Sequence, residues 1–141
     1  MTRKQVSVVS CVIQAALVGI LLLPGRGEDA LGVLDTVRRY SAVGFRSDAQ
    51  VYFAAAVCLP VLTILGHFLL RPRRNFGLGA CLSALYALAT ACFSESARVK
   101  LAGMAQVTGQ YYLMVFLAVL CVALEIYGFL MAAWRRIHRP P

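Results

Sequence analysis

The chain has 141 residues, of which 60% are hydrophobic and 14% charged, with a net charge of +8 and a mean hydropathy of +0.74. Soluble domains carry roughly 25% charged and 45–50% apolar residues and still leave about 30% of their unfolded surface wet. The composition therefore excludes an ordinary soluble enzyme, a disordered chain and a disulfide-stapled secreted module, and it points to a small multi-pass membrane protein.

A helix needs about 20 apolar residues to cross a bilayer core, and four stretches approach or reach that length. The first, residues 6–23, is uncharged. Arg3 and Lys4 before it give it the look of a signal peptide. It is long for a signal core, however, and Pro24-Gly25-Arg26-Gly27 offers no small-x-small cleavage site, so it is expected to be a retained span. Ser7, Ser10 and Gln14 recur within it at spacings of three and four, which places them on one helix face. Residues 28–40 follow as an amphipathic helical segment. Leu31, Leu34 and Val37 form its stripe, widened by Ala30 and Val33. Glu28 and Asp29 at its start and Arg38 and Arg39 at its end suit the helix dipole.

The second span, residues 51–70, is uncharged apart from His67 and aligns Pro60, Thr63 and His67. Residues 71–75 read as a tight turn in which Pro72 ends the span by removing an amide donor. The third span, residues 76–93, aligns Gly79, Ser83, Tyr86 and Thr90, and Ala80, Ala84, Ala87 and Ala91 prepare it for close packing. Ser94 reads as a helix cap in an outer loop that runs to residue 109. The fourth span, residues 111–134, places Cys121, Glu125, Gly128 and Ala132 on one face, with Tyr111, Tyr112 and Trp134 at its interfacial ends.

The expectation is thus an all-α, integral membrane four-helix bundle: four antiparallel up-down spans in a single domain over residues 1–141, with short amphipathic helical segments in the outer loops. With four spans, both termini share a side. That side carries Arg3, Lys4, Arg71, Arg73, Arg74, Arg135, Arg136 and Arg139, whereas the other carries six basic residues and five acids. The positive-inside bias places the eight in the cytoplasm, or on the matrix or stroma side of an organelle. These charges are expected to meet anionic lipid headgroups. No basic stripe with interleaved aromatics supports nucleic-acid binding.

Glu125 is the single acid within any span. Placed by depth at 1.5 Å per residue, Thr63, Ser83, Tyr86 and Gln14 fall near its level, and His67 lies one turn nearer the cytoplasm. These six residues are expected to form an intramembrane polar layer. A lone carboxyl with no intramembrane Lys or Arg can stay neutral and donate a hydrogen bond, fixing helix register. The alternative is ion or proton handling, the common use of an intramembrane ionisable residue. All five cysteines lie in spans without a Cys-x-x-Cys pair, the two histidines are far apart, and no phosphate loop or nucleophile elbow occurs. No cofactor, metal site or catalytic constellation is read from the residues.

The layout resembles that of tetraspan membrane proteins in general. Claudin-like proteins carry Trp and paired Cys in the first outer loop, which here has neither. Small multidrug exporters carry their intramembrane Glu in span one rather than span four, so the residues point to no particular family. The expected function is a non-catalytic structural or accessory subunit that contacts lipids and other membrane subunits or itself. A small oligomeric transporter or channel centred on Glu125 is the alternative, and a membrane-embedded enzyme acting on a hydrophobic substrate is the third reading.

Overall fold

The computed structural model describes residues 2–22, 33–70, 72–100 and 109–138. They form five helices: α1 (Arg3–Leu22), α2 (Val33–Ala42), α3 (Arg46–Leu69), α4 (Pro72–Lys100) and α5 (Gly109–Ile137). Among the described residues there is no strand. All but α2 are long and apolar enough to cross a membrane, over Lys4–Leu22, Arg46–Leu69, Arg74–Val99 and Gln110–Ile137. The four long helices pack in a ring in the order α1, α3, α4, α5, and α4 and α5 share the most extensive interface. The starts of α1 and α4 lie beside the ends of α3 and α5, as the side-chain bonds below require. This end of the bundle, which carries both Thr2 and His138, is called the inner end.

The helices overrun the apolar stretches on which they were expected. α4 does not stop at Ser94 but continues to Lys100, so Ser94 caps nothing. Phe93 and Ala97 are buried on one face of this extension. Glu95 and Arg98 pair on its exposed face at 2.9 Å, one helical step of three apart. Pro72 likewise does not act as a terminator. It opens α4, where its missing N–H would have had no helical partner in any case. α3 has already ended at Leu69, and Leu70 is extended.

The amphipathic segment forms later than its charge pattern suggests. α2 begins at Val33, and residues 28–32 lie outside the described residues. It buries Val33, Thr36, Val37 and Tyr40, mainly against α3. Gly44 closes it, with φ of 115°, a conformation that L side chains rarely adopt. The Phe45 amide reaches back to the Tyr40 carbonyl at 3.2 Å, the six-residue closure of a Schellman turn.

The bundle is built differently at its two ends. At the outer end Phe93 stacks on Tyr52 with ring centroids 4.2 Å apart, meets Tyr40 edge-on at 5.1 Å and lies 6.2 Å from Tyr111. One aromatic group thus holds α2, α3, α4 and α5 together. Towards the inner end the core becomes polar: Ser10, Gln14, Thr63, Asn75, Ser83 and Glu125 are all buried, and Thr90 is buried nearer the outer end.

Candidate functional site

The buried polar groups gather around the Glu125 carboxyl, and all four long helices contribute. From α3, His67 Nε2 lies 2.6 Å from Glu125 Oε1. The His67 and Glu125 side chains are 2% and 0% exposed. From α1, Ser10 Oγ donates to the same carboxyl oxygen, and Ser7 Oγ lies 2.7 Å from His67 Nδ1. From α4, Gly79 presents bare backbone to the carboxyl. A Cβ built there would stand 2.6 Å from both Cδ and Oε2 of Glu125. Phe76, one turn before Gly79 on the same helix, packs edge-on to His67 at 5.5 Å and fills the space that Gly128 of α5 leaves open.

The local sequence explains why these groups meet. Ser7 and Ser10 are three apart and share a face. Gly79 and Gly128 lack side chains where α4 and α5 pack together, which leaves room for Glu125 and Phe76 of the facing helix, as small residues do at helix contacts in membranes. His67, in the last turn of α3, reaches across the bundle to Glu125 on the diagonally opposite helix. One turn further out, Gln14 Nε2 of α1 donates to Ser83 Oγ of α4 at 2.9 Å, across the other diagonal. Two crossed pairs thus tie together helices that are not neighbours in the ring.

The expected six-residue layer is therefore divided. His67 contacts Glu125 directly, while Gln14 and Ser83 form a separate level. Thr63 turns back to the Leu59 carbonyl of its own helix at 2.9 Å. Tyr86 lies further out, near Tyr52 and Thr90, where Tyr52 and Thr90 bond at 3.3 Å. The expectation omits Ser7, Ser10 and Gly79 from the layer, although Ser7 and Ser10 stand on the same face as Gln14. Of the eight basic residues, Lys4, Arg74, Arg135 and Arg136 are exposed. Arg71 and Arg139 lie outside the described residues, as do the side chains of Arg3 and Arg73.

The ionisable neighbours of Glu125 are few. Cys11 of α1 and Cys121 of α5 lie close enough to feel its charge, and His67 is its ion-pair partner. Among the described residues no cluster of three or more His, Cys, Asp or Glu could hold a metal ion, and the five cysteines are free thiols.

Chemically, the His67–Glu125 contact sets side by side two groups that can each hold a proton. An imidazolium–carboxylate pair and an imidazole–carboxylic acid pair differ only by transfer of a proton along 2.6 Å. The second ring nitrogen faces Ser7, so the ring can accept a proton at one nitrogen and release another from the other. The order Ser–His–Glu is also that of a hydrolase triad. Here, however, both serines lie inside α1, where backbone N–H groups are committed to helical bonds and none is free to stabilise an oxyanion. Glu125 Oε2 is buried without a hydrogen-bond partner, as are Asn75 Oδ1 and the hydroxyls of Tyr86 and Tyr111. No protein-family model, curated protein or solved structure matches the chain.

Proposed function

We propose that this is a four-span membrane protein that takes up and passes on protons at the Ser7–His67–Glu125 relay. The observation that carries this reading is the 2.6 Å contact of His67 with Glu125, both buried, with Ser7 on the second ring nitrogen. Replacing a buried ion pair by apolar side chains is often neutral or stabilising, so holding the helices together does not call for these residues. A linked Ser–His–Glu set is suited to moving a proton between the bundle interior and the water at its inner end.

Infrared spectroscopy with isotope-labelled Glu tests this in nanodiscs. The Glu125 carboxyl band is expected to appear and vanish as pH changes, to be absent in Glu125→Gln, and to move its midpoint in His67→Phe. A Glu125 carboxyl that keeps one protonation state over the whole range in which the fold survives would overturn the relay. In that case the second reading stands: a structural or accessory subunit in a membrane assembly. That reading is supported by the broad apolar surface of the bundle, such as Val61, Leu65, Phe68 and Leu69 on α3, which faces outward and can meet lipid or another subunit.

For orientation, we place the inner end in the cytoplasm, or in the matrix or stroma of an organelle, on the positive-inside bias. In a cysteine-free background, Asp35→Cys and Arg74→Cys should be labelled by an impermeant maleimide from opposite sides, with Arg74→Cys on the cytoplasmic one. Labelling of both from one side would refute the four-span arrangement.

A further inference from the structure

The relay ends at Glu125, but the buried polar groups do not. We infer that they continue as a proton path to the outer end of the bundle, completed by single-file water. This inference rests on the proton-exchange reading of His67 and Glu125.

The outer mouth is a groove of about 300 Å³ between α3 and α4, with Asp48, Tyr52, Phe93 and Ser96 among its lining residues. Asp48 is exposed at its rim, and Tyr52 is buried. The Tyr52 hydroxyl meets Thr90 at 3.3 Å. Tyr86 follows one turn along α4, then Ser83, then Gly79 against the Glu125 carboxyl. Each of these α4 steps is three or four residues, a rise of about 4.5–6 Å. Two hydrogen bonds in series through one water span about 5.5 Å, so one water per step is enough.

Two features favour this use of the column. The hydroxyls already paired are oriented: Gln14 donates to Ser83 Oγ, which leaves the Ser83 proton free to point at another acceptor. On either side of Ser83 stand buried polar atoms without partners, Tyr86 Oη and Glu125 Oε2. An unpaired buried polar group is costly, and water is the ligand small enough to serve both. The lining also selects the proton. Hydroxyls both donate and accept, as a relay requires, whereas one carboxyl and scattered hydroxyls provide too few oxygens to coordinate a dehydrated metal cation.

The transfer balances. A hydronium in the groove gives its proton to the Tyr52 oxygen, and each hydroxyl or water passes its own proton onward until one reaches the Glu125 carboxylate. Rotation of the carboxyl turns the proton taken up at Oε2 towards His67 Nε2, which accepts it, and Nδ1 releases another through Ser7 to water at the inner end. One proton enters and one leaves. Only O–H and N–H bonds form or break, and rotation of the hydroxyls and return of the imidazole tautomer reset the chain.

The test is proton flux into liposomes containing the purified protein and an internal pH dye, driven by a potassium diffusion potential. Wild type is expected to carry flux above empty liposomes, and Glu125→Gln to abolish it. Tyr86→Phe removes one hydroxyl from a buried ring and is expected to slow flux roughly tenfold or more, a barrier raised by at least about 1.4 kcal/mol. Thr90→Val should do the same and Thr90→Ser should restore it, which keeps the inference testable if Tyr86→Phe folds poorly. Tyr112→Phe, on the exposed face, should change nothing. All but Glu125→Gln should retain the pH-dependent Glu125 infrared band. A normal band without wild-type flux, or flux indifferent to both Tyr86→Phe and Thr90→Val, overturns the transmembrane path and leaves the relay standing. Loss of the band's pH dependence in wild type overturns both.

Discussion

His67→Leu should destabilise the bundle by about 3 kcal/mol, near the lower end of the cost of removing one member of a buried ion pair. The substitution strips Glu125 of its ion-pair partner and leaves Ser7 facing a hydrocarbon side chain. Ser10 still donates to the carboxyl, which limits the loss. The double variant His67→Leu/Glu125→Leu should recover most of that stability and fall within about 1 kcal/mol of wild type. Ser7 and Ser10 can then turn to the carbonyls one turn back in α1, as helical serines do. Reversible unfolding in mixed micelles, read as a double-mutant cycle, measures the coupling. A double variant that is less stable than either single would mean that the network holds the bundle together, and the accessory-subunit reading would gain accordingly.

The second large effect is expected at Gly79. Gly79→Val forces atoms into the space occupied by the Glu125 carboxyl, 2.6 Å from the position a Cβ would take. The carboxyl cannot retreat without giving up Ser10 and His67. Overpacking of this kind costs about 1–3 kcal/mol, and here it also severs the relay, so the pH response of the Glu125 band should vanish together with the stability. Gly19→Ala is the contrasting case. Nothing lies within 4 Å of its added carbon, and replacing a helix-interior Gly by Ala favours the helix by up to about 1 kcal/mol. Adding side-chain carbon to a glycine should therefore have opposite signs on α4 and α1. Equal small effects at both positions would mean that Gly79 does not confine the carboxyl.

Much of this architecture was legible in composition and spacing. Helices in hydrocarbon must satisfy their own backbone, so four apolar stretches in 141 residues leave few alternatives. Helix limits were harder to read, because α4 beyond Phe93 is polar on its surface and is identified only by the burial of Ala97 on its other face. For the site, the shared face of Ser7, Ser10 and Gln14 was visible, as was the isolation of Glu125. What no single-helix pattern contains is the ring order, which decides that α3 stands diagonally from α5. Depth arithmetic also assumed that helix midpoints share a plane. His67, in the last turn of α3, nevertheless meets Glu125 well before the end of α5, because the helices differ in length and α5 extends past the end of α3. Gly79 is visible in the sequence only as a small residue, because its role depends on a carboxyl from another helix.

The two crossed pairs also constrain how the protein is made. His67 and Glu125 are 58 residues apart, and Gln14 and Ser83 are 69 apart. As the chain leaves the ribosome from its N-terminus, α1 enters the bilayer with three polar side chains whose partners have not been synthesised. Gln14 waits for α4, and Ser10 and His67 wait for α5. Neither the first pair of long helices nor the second can complete its polar contacts alone, so the bundle cannot assemble from two finished hairpins. The last span closes the structure, and a chain truncated before Gly109 would display unpaired polar groups within the membrane, a signal by which a cell's degradation machinery could recognise an unfinished copy.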